Sequence, residues 1–253
     1  MAQQVLSDVK VLDLTWYIAG PYCTKLLADY GADVIKVERP GEGDPARKMG
    51  PFFQDDPHPE KSGLFLHLNT NKKSITLNLK SDWGRRIIKE LVKGVDILVE
   101  SFRPGVMARL RLDYETLEKI NPKLVMTSIS NFGQTGPYRD FKASEIIIYG
   151  MGGAMNQTGL TEREPLKKGL NVIQYQGGTM AAIATMMALL LADEGIGQHV
   201  DVSSWGPNWA PLTAGCLSSW PTSITRRQPL GPIPGRFHCT PSALSPVLMA
   251  TLR

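Results

Sequence analysis

Residues 11–47 read VLDLTWYIAG PYCTKLLADY GADVIKVERP GEGDPAR, and this stretch predicts a strand, a helix and a second strand. The apolar residues within 9–14 predict a short buried strand, and those within 34–37 predict another. Between them, apolar side chains recur at helical spacing from 22 to 30, and Gly31 stands where a helix C-cap glycine belongs. We therefore expect a right-handed crossover between two parallel strands.

The carboxyl ends of these two strands are the expected ligand-binding edge, because parallel α/β sheets bind ligands there. Residues 16–21 and 38–41 occupy that edge, and residues 15–21 are expected to form a turn. Gly20 alone does not make the glycine pattern of nicotinamide-binding domains. Arg39 suggests a phosphate nearby, since its guanidinium suits phosphate geometry. An ordinary surface arginine remains the alternative at this point.

The rest of the chain continues the alternation of strands and helices. The apolar segments that predict further strands are residues 64–68, 75–79, 95–99, 124–129 and 200–203. Helical patterns and glycine- or proline-containing turns separate most of them. Alternation on this scale predicts an α/β fold with a doubly wound, Rossmann-like parallel sheet.

Composition excludes several function classes. The 253 residues carry a net charge of +4, which suits an anionic ligand but is too small and scattered to indicate nucleic-acid binding. Three cysteines without metal-like spacing, and a start without a secretory pattern, predict a cytoplasmic protein with no metal site. The apolar run 177–192 is shorter than the roughly 20 residues that span a bilayer, so we expect a buried helix and no membrane partner.

The order of residues is more specific than their periodicity. The sequence AGP, followed by LLADYGADVIKVERPGEGD, resembles the opening of the family III CoA-transferases, which include formyl-CoA:oxalate CoA-transferase and α-methylacyl-CoA racemase. The resemblance extends over residues 8–204 and recurs most clearly in the segments 69–79, 95–105, 114–130 and 132–138. It implies a protein that moves coenzyme A (CoA) between an acyl-CoA and a carboxylic acid.

The same resemblance implies a set of CoA contacts. The basic and apolar positions that match the family's contacts to CoA are Arg39, Leu77, Lys80, Ser101, Phe102, Arg109 and Lys142. Tyr17, Ile18 and Ala19 match the turn near the thioester. Ser101 stands where close relatives have Asn. Arg and Lys suit the phosphates of CoA, and apolar surface suits its pantetheine arm.

The position of the family's nucleophile is changed in this chain. The family uses an Asp that attacks the thioester, and the matching residue here is Gln174, with no acidic residue between Glu164 and Asp193. An uncharged amide is not a substitute nucleophile. Glu145 matches a Glu beside the active site of some transferases, although a helix N-terminal acid is an equally good interpretation. The pair Ser144 and Glu145 also departs from the racemase pattern.

Three interpretations follow from Gln174. The chain is a working CoA-transferase with a nucleophile supplied differently, a CoA-binding subunit that pairs with an active relative, or an inactive paralogue that keeps only the fold. The family's full-length proteins are expected to be interlocked dimers, so the partners implied are an acyl-CoA, a carboxylic acid and a second copy or an active relative.

The resemblance predicts a domain division. Residues 1–205 are the CoA-binding large domain, 206–238 lead toward a small domain that is missing or only begun, and 239–253 fit nothing in the family. Codons can be chosen for residues 245–252 so that the same bases, read one frame back, encode Pro-Cys-Ser-Asp-Gly-Tyr-Val. These seven residues have the form of a family motif. We therefore expect a frameshift or a sequencing error near residue 239.

Overall fold

The predicted strand, helix and strand at the start of the chain are confirmed. The computed structural model describes residues 4–157 and 162–206, together with the backbone of residues 223 and 224. Strand β1 (Lys10–Leu14) leads into helix α1 (Ala19–Asp29), and strand β2 (Asp33–Glu38) pairs with β1 in parallel. Gly31 takes a φ of +106° between α1 and β2, which is the backbone conformation expected of a C-cap glycine.

The remaining elements continue this alternation. The helices that follow α1 are α2 (Gly63–Leu68), α3 (Asp82–Val92), α4 (Val106–Leu110), α5 (Tyr114–Leu117), α6 (Glu145–Met151) and α7 (Val172–Ala192). The strands that follow β2 are β3 (Lys72–Thr76), β4 (Ile97–Glu100), β5 (Val125–Ser130), β6 (Gln198–Ser203) and β7 (Ser223–Ile224).

One sheet holds all of these strands, in the order β3-β2-β1-β4-β5-β6-β7. The first six strands of that order are parallel, and the two-residue β7 runs antiparallel to β6. The predicted doubly wound α/β fold is confirmed. After β1 the chain adds β2 and β3 on one side of it and then returns to add β4 on the other side, so β1 and β4 flank a switch point. Ligands bind at such switch points in open parallel sheets.

Apolar layers cover both faces of the sheet. On one face, α1 and α7 pack against Val11, Val99 and Val125 of the strands. On the other face, residues from α3, α4 and α5 surround Leu12, Leu14 and Leu98. Because side chains of a strand alternate between faces, each of these strands supplies both layers.

The predicted strand at residues 64–68 is wrong, because α2 occupies this segment. The hydroxyl of Ser62 accepts a hydrogen bond from the backbone amide of Phe65 at 3.2 Å and so caps the first turn of the helix. A run of five apolar residues fits either element by pattern alone. The serine cap decides in favour of the helix.

Helix α7 contains the predicted apolar helix, but it is longer than the run 177–192 and is buried on one side only. It is long and apolar enough to cross a membrane, but half of it is buried inside the protein. The hydroxyl of Thr185 lies 2.7 Å from that of Thr127 on β5, and both side chains are fully buried. These contacts are those of a core helix. The predicted linker 206–238 and the predicted frameshifted tail 239–253 lie outside the described residues, apart from residue 206 and the backbone of β7.

Candidate functional site

The residues predicted to contact CoA all follow the carboxyl ends of neighbouring strands. In the spatial order of the sheet, Leu77 and Lys80 follow β3, Arg39 follows β2, and Tyr17, Ile18 and Ala19 follow β1. Ser101, Phe102 and Arg109 follow β4, and Lys142 lies between β5 and α6. The segments that carry the predicted residues therefore follow five neighbouring strands, on both sides of the switch point between β1 and β4.

Trp16 connects three of these segments, although sequence analysis assigned it no role. Its backbone amide donates a hydrogen bond to Oγ of Ser101 at 2.9 Å. Its ring meets the ring of Phe102 edge-on with centroids 5.3 Å apart, and the guanidinium carbon of Arg39 lies 4.4 Å from its ring centroid. Trp16 thus fixes the ends of β1, β2 and β4 relative to one another.

The predicted cations differ in how they are paired. Arg39 forms an ion pair with Glu42 at 2.5 Å and is half exposed. The charged groups of Lys80, Arg109 and Lys142 are exposed and have no hydrogen-bond or ion-pair partner among the described residues. Unpaired cations at the edge of a sheet suit a multiply charged anion such as a nucleotide phosphate.

A buried ionic network lies beneath the turn that follows β1. Asp13 accepts hydrogen bonds from the hydroxyls of Thr15 and Thr24 at 2.5 and 2.6 Å, and its carboxylate lies 3.1 Å from Nζ of Lys72. Burial alone would raise the pKa of Asp13, but the ammonium groups of Lys36 and Lys72 and the two hydroxyls lower it to about 2. The carboxylate is therefore charged at neutral pH and anchors the turn.

A second ionic group holds the loop after β2. The guanidinium of Arg47 binds both carboxylate oxygens of Glu38, at 2.7 and 2.9 Å, and lies over the ring of Phe65 with its carbon 3.7 Å from the ring centroid. Burial opposes ionisation of Glu38, but the hydrogen bonds from Arg47 and Ser74 lower its pKa to about 2. The segment GEGDPAR is thus fixed by the side chain of its own last residue.

Glu100 is a buried acid behind the turn that carries Ser101 and Phe102. Its Oε2 accepts a hydrogen bond from the backbone amide of Phe102 at 2.7 Å. Burial raises the pKa of Glu100 to about 7, and the nearby carboxylate of Asp201 adds to this shift. The side chain of Ser128 opposes the shift, and its hydroxyl also lies 2.9 Å from Nε2 of His199. Sequence analysis missed Glu100 because a buried acid at a strand end has no sequence signature of its own.

The two residues predicted as catalytic meet at the start of α7. Oε1 of Glu145, at the first position of α6, accepts a hydrogen bond from the backbone amide of Ile173 at 2.8 Å. Its second oxygen, Oε2, is buried and has no hydrogen-bond partner among the described residues. Gln174 is the next residue of α7, so the carboxylate and the amide side chain belong to the same helix junction.

The face of α7 that carries Gln174 packs toward α1. Gly178 follows Gln174 by one helical turn, and a Cβ at Gly178 would lie 2.5 Å from the carbonyl oxygen of Ala19. The absence of a side chain at Gly178 lets the two helices approach closely. Gln174 is half-buried. It lies one helical turn before Gly178, which contacts α1 at Ala19, the last residue of the segment predicted to receive the thioester.

Tyr175 adds an aromatic group beside Gln174. Its ring meets that of Tyr22 on α1 edge-on with centroids 4.8 Å apart, and the ring of His67 on α2 lies 6.2 Å away. Burial raises the pKa of Tyr175, so its hydroxyl stays protonated at neutral pH. The starts of α1, α6 and α7 therefore converge beside the carboxyl edge that carries the predicted cations.

The site thus combines basic side chains after neighbouring strands with a junction of helix N-termini. Comparison with known proteins identifies the family. The profile of CoA-transferase family III matches residues 6–229. The chain belongs to this family. The predicted resemblance is confirmed, and within the described residues no cluster of His, Cys, Asp and Glu suits a metal ion.

Individual relatives support the assignment. The chain is 41% identical over 201 residues to succinate–glutarate CoA-transferase of Agrobacterium fabrum, covering 78% of this chain and 50% of that protein. It is 42% identical over 227 residues to acetyl-CoA:oxalate CoA-transferase of Acetobacter aceti, covering 87% and 57%. A solved structure of a CAIB/BAIF family protein from Brucella suis matches with a TM-score of 0.77 and 38% identity, covering 83% and 56%. The chain thus spans about half the length of the curated relatives it matches.

Proposed function

We propose that this chain provides the CoA-binding domain of a CoA-transferase that moves coenzyme A between an acyl-CoA and a carboxylic acid. One observation carries the proposal: the predicted CoA contacts, which are scattered over the sequence, follow five neighbouring strands at one edge of the sheet. Family membership supports the choice of CoA over other nucleotides. Succinyl, acetyl and formyl groups appear in the names of the relatives, so short acyl-CoA thioesters are the first substrates to test.

In this proposal different residues at the edge of the sheet bind different parts of CoA. Arg39, Lys80 and Arg109 bind the phosphates, and Leu77 and Phe102, which pack against the apolar layer of α3 and α4, contact the apolar parts of CoA. The turn at 17–19 receives the thioester. The starts of α1 and α7 lie beside it, and the positive ends of these helix dipoles favour developing negative charge.

The test is a binding measurement with matched variants. We expect acetyl-CoA to bind the full chain in calorimetry, and we expect Arg109→Ala to weaken binding about tenfold, because it removes one charge-assisted contact to a phosphate. Lys119→Ala is the control. Lys119 is equally exposed but lies between α5 and the start of β5, at the opposite edge of the sheet. Equal losses in both variants would contradict the proposal.

A second candidate function follows from Gln174. In it, the chain binds CoA but is the non-nucleophilic subunit of a heteromeric transferase, in which an active relative supplies the attacking carboxylate. The observation that favours it is chemical: the residue at the nucleophile position is an amide, and residues 165–192 contain no acid. An inactive paralogue is the remaining alternative, and CoA binding by the chain would exclude it.

Labelling separates the two candidates. Incubation with succinyl-CoA followed by tritiated borohydride reduces a CoA thioester on an active carboxylate to an alcohol, which releases CoA and leaves tritium on the protein. We expect no label on the unmodified chain and label on Gln174→Asp. Gln176→Asp is the matched control, because Gln176 lies on the same helix but is exposed. Label on the unmodified chain would contradict the non-nucleophilic candidate.

We further propose a cytoplasmic location and, for the full-length form, an interlocked assembly either with a second copy or with an active relative. Cys23, the cysteine in the described part of the chain, is buried and free, which suits a reducing compartment. Sedimentation of the chain alone, and together with a full-length relative, tests the assembly.

A further inference from the structure

The turn that follows β1 holds a strained backbone. Tyr17 has a φ of +65°, in the left-handed region that side-chain-bearing residues rarely adopt. Its side chain is half exposed, at 53%, so packing of its own ring does not compensate for the strain. Such conformations persist where the surrounding structure fixes them, and they concentrate at ligand-binding sites.

Three consecutive residues of this turn are each fixed through the backbone. The carbonyl oxygen of Thr15 accepts a hydrogen bond from Nζ of Lys36 at 2.9 Å, and the amide of Trp16 donates to Ser101 at 2.9 Å. The amide of Tyr17 donates to Oδ1 of Asp44 at 3.2 Å. These three anchors come from β2, from the segment after β4 and from the loop after β2.

Lys36 and Asp44, which supply two of these anchors, also bind each other. Nζ of Lys36 lies 2.8 Å from Oδ2 of Asp44, and the two side chains are 1% and 0% exposed. Asp44 is fixed in turn, because its Oδ1 accepts a hydrogen bond from the amide of Ala46 at 2.8 Å and its own amide donates to Glu38 at 2.9 Å.

Stability alone does not explain a buried ion pair of this kind. Removing two charges from water costs about as much as their attraction returns, and an apolar pair of similar size is often as stable. The ion pair instead holds the backbone of the turn in one orientation. Its ammonium and its carboxylate each retain a hydrogen bond to a different backbone group of the same turn, which apolar side chains do not provide.

We propose that Lys36 and Asp44 are positioning residues that hold the turn at residues 15–17 in the conformation that receives the thioester end of an acyl-CoA. This inference rests on the proposed function, in which residues 17–19 contact the thioester while Arg39, Lys80 and Arg109 bind the phosphates. The ion pair contacts the turn and none of these three cations. Loss of the ion pair should therefore weaken binding of the thioester end of the ligand and leave binding of the phosphates unchanged.

The experiment compares two ligands that differ in that end. Calorimetry on the full chain measures binding of acetyl-CoA and of adenosine 3′,5′-bisphosphate, which has the nucleotide end but no pantetheine arm. We expect Asp44→Asn to weaken acetyl-CoA binding about tenfold and to change the affinity for the bisphosphate less than twofold. Asn keeps the size of the side chain but removes the ion pair with Lys36.

A double variant keeps the test valid if Asp44→Asn alone fails to fold. Lys36→Met combined with Asp44→Asn removes both charges together, which avoids an unpaired buried ion. It also removes the hydrogen bond to Thr15, so we expect the same selective loss of acetyl-CoA binding. Glu90→Gln, which breaks the exposed ion pair with Lys93 on α3, is the control and should change neither affinity.

The possible outcomes separate this inference from the proposed function. If the unmodified chain binds both ligands but the variants lose both affinities equally, or lose neither, the positioning role is wrong and the proposed function stands. If the unmodified chain binds neither ligand, the proposed function fails and this inference fails with it. A selective loss of acetyl-CoA binding supports both.

Discussion

The carboxylate of Glu145 caps helix α7 from a different helix, through the hydrogen bond of 2.8 Å that its Oε1 accepts from the amide of Ile173. Asn171, at the N-cap position of α7, makes no side-chain cap, and the first turn contains no acidic residue. The first amides of a helix have no partner within the helix, so an acceptor from elsewhere stabilises it. Glu145 thus joins the starts of α6 and α7 beside Gln174.

Replacing Glu145 tests this capping role. We expect Glu145→Ala to lower the free energy of unfolding by about 1 kcal/mol, the usual effect of losing a helix cap. Glu145→Gln keeps an acceptor oxygen and should retain most of that stability. Urea denaturation of the variants measures the difference. Glu90→Ala on α3 serves as a control, since Glu90 is an exposed acid outside the junction, and equal stability of Glu145→Ala and the unmodified chain would refute the cap.

Gly178 should not tolerate even a methyl group. A Cβ there would lie 2.5 Å from the carbonyl oxygen of Ala19, and a backbone atom cannot move as a flexible side chain does. We expect Gly178→Ala to lower the free energy of unfolding by about 1 to 3 kcal/mol, although alanine favours the helix itself. At Gly169 a Cβ would have no neighbour within 4 Å, so Gly169→Ala is the matched control. Thermal unfolding compares the two, and similar melting temperatures would contradict the close approach.

The raised pKa of Glu100 predicts that the folded chain loses stability as pH rises. Its pKa is about 7 in the folded chain against an ordinary value of 4.5, so the unfolded chain releases the proton first. The free energy of unfolding therefore falls between pH 4.5 and about 7, by up to roughly 3 kcal/mol.

Glu100→Gln resembles the protonated acid and keeps an acceptor for the amide of Phe102. We expect this variant to be more stable than the unmodified chain at pH 8 and to differ little at pH 4.5. Urea denaturation at the two pH values tests this expectation. A stability difference that is the same at both would show that Glu100 does not titrate in this range.

The lowered pKa of Asp13 predicts that the folded chain loses stability as pH falls. Its pKa is lowered to about 2 from 3.8, so the folded chain binds this proton later than the unfolded chain. The stability that it contributes is present above pH 4 and is lost as pH falls through about 2, a change of roughly 2 kcal/mol.

Asp13→Asn removes this titration. We expect the variant to be less stable than the unmodified chain at pH 6, and we expect that difference to narrow toward pH 2. Denaturation monitored by circular dichroism at several acidic pH values tests this. A gap that stays constant down to pH 2 would mean that the Asp13 carboxylate is not held by Lys36 and Lys72.

The sequence predicted the fold well because its signals are local. Most of the apolar strands, the helical spacing in α1 and the glycine at residue 31 are confirmed, and each of these signals acts over a few residues. The strand predicted at residues 75–79 is displaced, because β3 begins at Lys72 and ends at Thr76. The segment 64–68 was missed because a short apolar run fits both elements. The hydroxyl of Ser62, two residues upstream, decided the outcome through a single cap.

The sequence could predict which segments lie at the carboxyl edge of the sheet, because the strand ends of a parallel sheet collect at one edge. The central place of Trp16 was not, because its contacts with Ser101 and Phe102 depend on β1 and β4 being neighbours. The pair of Lys36 and Asp44 was also missed. A lysine inside a strand suggests a solvent-facing position, and only the folded structure shows that the side chain ends in a buried carboxylate.

The two faces of the sheet separate the surroundings of Leu77 and Phe102 from those of Gln174. Leu77 and Phe102 pack with the layer of α3 and α4, whereas Gly178 and Ala19 belong to the contact between α7 and α1 on the other side. A substitution at residue 174 therefore alters the side of the sheet on which α1 and α7 pack, and it leaves the apolar layer around Leu77 and Phe102 unchanged.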